Sequence, residues 1–213
     1  MTTIRSPQRG NGFVARFPDY LPDRVQQNQV EWQWLLGKIT GLESFLEVGS
    51  CLGYSLRDLA FHAVKGAKLR SIDLGEVGPP TARFSTGRYL QETIDTLRGM
   101  GYDVSVLLED SHSPIAVKWA EEQGPYDFVY IDGDHSLEGV MADWANYGHL
   151  GKIVGFHDIN HDGHGVKRFW QALKAEGWRT EEKITSHQGT GLVYLETGLT
   201  SSPEKHDGRR PLL

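Results

Sequence analysis

The sequence has almost no cysteine: Cys51 stands alone among 213 residues. One thiol can form neither an internal disulfide nor a multi-thiolate metal centre. Long apolar runs are missing too. No window reaches the ~18 consecutive apolar residues of a membrane span. The opening Met1-Thr2-Thr3-Ile4-Arg5-Ser6-Pro7 lacks the apolar core of a secretory signal. Basic charge is in deficit, 22 Lys and Arg against 28 Asp and Glu, leaving a net charge of −6. That argues against a dedicated nucleic-acid binder, though a local basic groove stays open. Repeats and low-complexity segments are also absent. These absences lead us to expect a cytoplasmic chain with no membrane or nucleic-acid partner.

What is present suits one globular domain: 38% hydrophobic and 23% charged residues, with 25 glycines for tight turns. Residues 1–22 are rich in Pro, Gly and Arg and read as an irregular arm. It could form a lid or pack on a neighbouring subunit, so a homo-oligomer is open. Asp23 is placed to cap a helix over 24–39, with Val30, Trp34, Leu35 and Ile39 on one face. Short apolar runs then alternate with helical stretches. The runs are 45–48, 69–72, 104–108, 128–131 and 153–156; the helices cover about 53–64, 83–99, 113–122, 136–148 and 164–176. Alternation of this kind predicts parallel βαβ units with right-handed crossovers. Two last strands, 178–184 and 191–196, flank a turn-rich segment and form a hairpin. The expected fold is α/β: a doubly wound, seven-stranded, mostly parallel, Rossmann-like sheet with a reversed last strand. The domain spans 23–199, followed by a polar tail over 200–213.

Ligands of such sheets bind beyond the carboxyl ends of the strands. Those positions are unusually polar here. The first turn, Glu47-Val48-Gly49-Ser50-Cys51-Leu52-Gly53-Tyr54-Ser55, carries glycines where a backbone must approach a ligand. Cys51 and Tyr54 break the G-x-G-x-x-G of dinucleotide sites. Glu47 suits a ligand with a positive group better than a pyrophosphate. The plainer alternative is an ordinary glycine-rich turn. Asp73 ends the second strand and could accept both ribose hydroxyls, or simply cap the next helix. Asp110 and Ser111 end the third strand, as readers of an adenine edge or as helix caps. Asp132 and Asp158 end neighbouring strands about 4.8 Å apart and could share a divalent cation, with His157 or Asn160 as a third ligand. Oxygen ligands favour Mg²⁺; a histidine tilts the site towards Mn²⁺, Fe²⁺ or Zn²⁺. His135, three positions after Asp132, is either catalytic or solvated. His161, Asp162 and His164 extend a polar run that reads first as a loop capping the helix near Gly165 and second as a metal tract. Cys51 reads as packed, with no base aimed at it.

Together Glu47-x-Gly49 with Gly53, Asp73, the segment IDGDHS at 131–136 and FHDI at 156–159 resemble class I S-adenosylmethionine-dependent methyltransferases. The pattern is most similar to the small metal-assisted O-methyltransferases, such as catechol and macrolide-sugar O-methyltransferases, over about residues 42–196. The resemblance implies that Glu47 and Gly49 line the methionine end of the cofactor, continued by Ser50, Gly53 and Ser55. Asp73 would hold the ribose, and Asp110 with Ser111 would flank the adenine. Asp132 would be the first metal ligand, with His157 and Asp158 as the next pair, and His135 the general base. Two departures stand out: Cys51 replaces a small residue, and His157 stands where an acid or amide is usual.

The implied chemistry is methyl transfer from a sulfonium to a hydroxyl of a small molecule, assisted by Mg²⁺ or Mn²⁺, with Asp132 and His135 catalytic. A metal-independent member, a non-catalytic cofactor-binding module and, more remotely, an NAD-dependent oxidoreductase are the competing expectations.

Overall fold

The structure, a computed structural model, describes residues 25–78 and 83–195. The arm over 1–22, the Asp23 cap and the tail over 200–213 lie outside the described residues. Chain order is α1 (Gln29–Ile39), β1 (Ser44–Val48), α2 (Tyr54–His62), β2 (Lys68–Asp73), a small ribbon of β3 (Glu76–Val77) and β4 (Phe84–Ser85), α3 (Gly87–Gly99), β5 (Asp103–Leu108), α4 (Pro114–Gln123), β6 (Tyr126–Ile131), α5 (Leu137–Tyr147), β7 (Gly151–His157), α6 (Gly165–Ala175), β8 (Thr180–Lys183) and β9 (Thr190–Tyr194). Seven strands form one sheet in the order β5-β2-β1-β6-β7-β9-β8. The first five run parallel, and β9 is antiparallel to both β7 and β8. The expected doubly wound sheet with a reversed last strand is the one found. Among the described residues no helix is long and apolar enough to cross a membrane.

Both faces of the sheet are covered, which is why its strands read as nearly continuous apolar runs. On one face α1, α2 and α3 pack Trp32, Leu36, Leu59 and Leu97 against Phe45, Leu69 and Phe128. On the other, α4, α5 and α6 pack Ala120, Val140 and Trp170 against Leu46, Val129 and Phe156.

The first helix departs from expectation. It starts at Gln29, and the Asn28 side chain caps it, accepting from Val30 N at 3.0 Å and Glu31 N at 3.4 Å. Asn is among the strongest N-caps, and capping there leaves residues 25–28 to run beside the cavity described below. The buried stripe is Trp32, Leu35, Leu36 and Ile39, whereas Val30 is 55% exposed. Glu31 lies in that stripe, and a buried acid hides the helical period from a reading of apolar residues. The β3–β4 ribbon was not expected; two-residue strands carry no periodicity.

Strand order reverses between β1 and β6. From β1 the chain winds outward through β2 to β5, then returns to lay β6 on the free edge of β1. Two turns therefore leave the sheet side by side. Asp132 N donates to Val48 O at 2.9 Å, and Gly49 N donates to Ile72 O at 2.9 Å. This is the crevice where open α/β sheets bind ligands.

A second constraint comes from Glu31, wholly buried on α1. Its carboxylate accepts from Thr185 N at 2.6 Å, Ser186 N at 2.7 Å and Gly189 N at 3.0 Å, and from the Thr185 and Ser186 hydroxyls. It thereby shapes the β8–β9 loop, which presents His187 and Gln188 to the crevice. Burial opposes the charge, but these N–H and O–H donors outweigh it and hold the carboxyl below its ordinary 4.5. Glu31→Ala should cost about 2–4 kcal/mol of stability in urea unfolding, since buried donors lose a charged acceptor. A depressed pKa stabilises fully above the unfolded value and loses that stabilisation as pH falls through the folded one. The wild-type advantage over Glu31→Gln should therefore shrink on acidification below about pH 4.5. An advantage unchanged between pH 7 and 3 would show that the charge is irrelevant.

Candidate functional site

The turn after β1 is forced by its neighbour. Gly49 has φ +89°, and a Cβ there would sit 2.2 Å from the Asp132 carbonyl oxygen. Only glycine fits so close an approach in the left-handed region. Cys51 is also left-handed, with φ 51°. Its N–H donates to Asp73 Oδ2 at 2.7 Å, while Asp73 Oδ1 accepts from Gly75 N at 2.7 Å. Asp73 thus ties the ends of β1 and β2 together. Burial raises its pKa, partly offset by these backbone donors. The Cys51 thiol is pushed up to about 11 by burial and by the charge of Asp73, so it is no activated nucleophile.

Glu47 is fully buried under this turn. Its carboxylate accepts from the Ser50 hydroxyl, which also lies 2.8 Å from Ser71 Oγ. Burial pushes its pKa up to about 8, with the Ser50 and Ser55 hydroxyls offsetting only part of the cost. At neutral pH this acid is mostly protonated, and a cationic group beside it would favour its ionised form.

At the end of β5, α4 is capped by Ser113, which accepts from Ala116 N at 3.2 Å. Asp110 and Ser111 are therefore free of the helix-cap role that the sequence left open. Asp110 accepts from His112 N at 2.9 Å, and Ser111 Oγ donates to Asp143 Oδ1 at 2.8 Å. Asp143, on α5, was not singled out from the sequence. Burial pushes its pKa up to about 6, against the Ser111 hydroxyl and the His112 charge.

The ends of β6 and β7 carry a dense ionic network. Asp132 Oδ2 accepts from Gln27 Nε2 at 2.7 Å. Asp132 Oδ1 lies 3.2 Å from His135 Nε2 and 3.3 Å from His157 Nδ1. Asp158 Oδ2 lies 2.7 Å from His164 Nδ1 and 3.4 Å from His135 Nδ1. Burial works against charge on Asp132, but the His157 and His135 imidazoliums hold its pKa well below the carboxylate range. Burial likewise disfavours charge on His135, yet Asp132 and Asp158 push it up to about 9. His157, almost fully buried, is raised by the same two carboxylates against its desolvation.

Both halves open into one cavity of about 670 Å³, within the usual range for small-molecule sites. Its walls include Glu109, Asp110 and Ser111 at one end and His135, Asp158 and His164 at the other, with Ser50 and Asp73 between. The structure therefore brings Ser50, Ser55, Asp73, Asp110, Ser111, Asp132, His135, His157 and Asp158 around one space, with Gly49 on its wall. Glu47 lies beneath it and Gly53 starts α2 at its edge. Among the described residues, one set of three His, Cys, Asp or Glu has ligand atoms all within 4.8 Å of one another: His135, Asp158 and His164. For His164 the structure favours the metal-tract reading over the loop reading; Gln27 carries no signal in the sequence.

Known proteins can now be set beside this geometry. Residues 46–159, just over half of the chain, match the family model of the methyltransferase domain. No curated protein sequence matches the chain. Solved structures do resemble it. An O-methyltransferase from Bacillus cereus, in complex with SAH, has a TM-score of 0.60 at 18% identity, over 82% of this chain and 84% of that one. The O-methyltransferase TomG from Streptomyces achromogenes, in complex with SAM, has 0.60 at 16%, over 83% and 84%. Cofactor-bound Rv0187 from MTB has 0.59 at 16%, over 82% and 83%. At such identities these likenesses establish the shared fold, and the family match goes further: this chain belongs to the methyltransferase domain family.

Proposed function

We propose that this chain transfers a methyl group from S-adenosylmethionine to a hydroxyl of a small molecule, with a divalent cation assisting. The observation that carries the reading is one cavity with two unlike ends. One end offers a buried acid, a glycine turn and strand-end carboxylates suited to a nucleoside with a cationic tail. The other offers imidazoles and carboxylates suited to holding a hydroxyl beside a cation. Complexes of similar solved proteins with SAM or SAH support the same cofactor. In this reading Glu47, Gly49, Ser50, Gly53 and Ser55 hold the methionine end, Asp73 the ribose, and Asp110 with Ser111 the adenine. The single cysteine and acidic charge balance support a cytoplasmic setting and a small acceptor in place of a polyanion.

Methyl transfer from a sulfonium is an in-line displacement, so the protein acts mainly by positioning, an effect that can reach about 7–11 kcal/mol. A neutral hydroxyl attacks poorly, and Asp132, His135 and Asp158 form the corner that activates it. The donors there fit a cation. Asp158 Oδ1 and His157 Nε2 are buried with no hydrogen-bond partner among the described residues. The sequence suggests Asp132, His157 and Asp158 as ligands, but among the described residues the three whose ligand atoms all lie within 4.8 Å of one another are His135, Asp158 and His164. When bound, a cation supplies Lewis acidity that lowers the pKa of a hydroxyl. Asp132 also orients His135, and Gln27 orients Asp132.

Calorimetric titration with S-adenosylhomocysteine, with NAD⁺ as control, should show micromolar binding of the first only. Asp73→Ala should weaken that binding at least tenfold. Asp132→Asn should abolish labelled-methyl transfer to hydroxyl acceptors while leaving cofactor affinity within a few-fold. If affinity collapses in Asp132→Asn, that residue serves the cofactor or the fold; if neither nucleotide binds, the enzyme reading fails.

Glu47 adds a pH signature. With its pKa pushed up to about 8 by burial, an ammonium group bound beside it should expel the carboxyl proton. Titrations at pH 7 in buffers of different ionisation enthalpy should reveal proton release, and affinity should rise from pH 6 to 8. Glu47→Gln should remove both effects. Buffer-independent heats in the wild type would place the ammonium elsewhere.

A further inference from the structure

Four imidazoles crowd one end of the cavity. Ring centroids of His135 and His164 are 4.5 Å apart, those of His161 and His164 3.9 Å, and those of His161 and His187 5.4 Å. The backbone builds this arrangement. Gly165 N donates to His135 O at 2.8 Å. A Cβ on Gly165 would lie 2.1 Å from Leu137 N, so a glycine is needed where the starts of α5 and α6 touch. That contact sets His164 beside His135. Asp158 completes the group from the end of β7, in the left-handed region at φ 59°, an uncommon conformation that functional sites often retain. Its side chain is 4% exposed, and its Oδ1 has no hydrogen-bond partner among the described residues.

We propose that His135, Asp158 and His164 together bind a borderline transition-metal ion such as Zn²⁺, Fe²⁺, Co²⁺ or Mn²⁺, in preference to Mg²⁺. The inference deepens the cation part of the function proposed above and rests on it only for what the ion would serve. Ligands about 2.1 Å from an ion, at tetrahedral or octahedral angles, stand about 3.0–3.4 Å from one another. Two of the three pairs bracket that spacing, at 2.7 Å for His164 Nδ1 to Asp158 Oδ2 and 3.4 Å for His135 Nδ1 to Asp158 Oδ2, and all three ligand atoms lie within 4.8 Å of one another. Small side-chain shifts would suffice. Two imidazole nitrogens and one carboxylate suit these metals, whereas Mg²⁺ prefers an all-oxygen octahedron and retains its waters. With Nδ1 turned to Asp158, His135 Nε2 is left to Asp132 at 3.2 Å. A carboxylate on the far nitrogen of a ligating histidine is the usual way such a ring is oriented. His157, by contrast, spends Nδ1 between Asp132 and Asp158, at 3.3 and 3.5 Å, and is 4% exposed. It bridges the two carboxylates. Three protein ligands also leave coordination positions open, as catalytic sites do and structural ones do not.

The test is metal binding itself. Full-length protein stripped by chelator is titrated with Co²⁺ and followed by visible absorption, then with Zn²⁺ or Mg²⁺ as competitors. One Co²⁺ per chain should bind, Zn²⁺ should displace it, and a hundredfold excess of Mg²⁺ should not. His164→Ala and His164→Gln should each weaken Co²⁺ binding at least tenfold and change the absorption bands. Asp158→Asn, which tolerates the left-handed backbone, should do the same. Melting curves identify any variant that has lost its fold, and the two His164 substitutions check each other. Absence of Co²⁺ binding overturns the proposal. So does unchanged binding in both His164 variants with loss in Asp132→Asn, which would put the ion on Asp132, His157 and Asp158. S-adenosylhomocysteine is titrated into the same samples. If it fails to bind wild type while Co²⁺ binds as expected, the methyl-transfer reading falls and the metal assignment stands.

Discussion

The contact between Gly49 and the carbonyl of Asp132 organises the whole molecule. It exists because β1 and β6 are neighbours in the sheet but far apart in the chain. Their turns leave in the same direction, and one must be stripped to backbone for both to fit. The reward is a crevice with two chemistries. On one side, Asp73 and Glu47 gather around the turn after β1. On the other, Asp132 starts a network reaching through His135 to Asp158. A larger residue at position 49 would push these halves apart, and no rearrangement of side chains could restore the distance.

The site is costly in stability terms. Glu47, Asp158 and His157 are each nearly removed from solvent, and isolated charges there would be strongly unfavourable. The protein manages them in two ways. Glu47 keeps its proton, because hydroxyls alone cannot offset its burial. Asp132 keeps its charge, because two imidazoles and an amide surround it. Neutralising one acid while holding the other ionised gives the two ends of one cavity different tasks, a pattern typical of active sites.

The outer frame serves the same end. Glu31 spends its carboxylate on a loop far from α1 in sequence, and so sets His187 and Gln188 on the cavity wall. Asn28 starts the helix late enough that Gln27 reaches Asp132. The Glu31 carboxylate accepts from both its oxygens, the condition under which a buried polar group rigidifies its surroundings.

Much of this was legible in the sequence. Apolar runs alternating with helical stretches dictate parallel strands covered on both faces, because only that packing buries such runs. The last hairpin, the strand-end acids and the glycine turn follow from local chemistry. So do Asp73, Asp132, His135 and Asp158, since anything just beyond a parallel strand must face the crevice. What the sequence could not decide is which distant side chains meet there. Gln27 and His164 enter through helix starts whose positions depend on caps and on backbone contacts such as Gly165 against Leu137, and Asp143 from the middle of α5. The stripe of α1 was misread because a buried glutamate belongs to it, and its partners lie more than 150 residues away. Periodicity and spacing report local geometry; which polar groups share a proton or an ion is decided only when the folded backbone brings separate segments within about 3 Å.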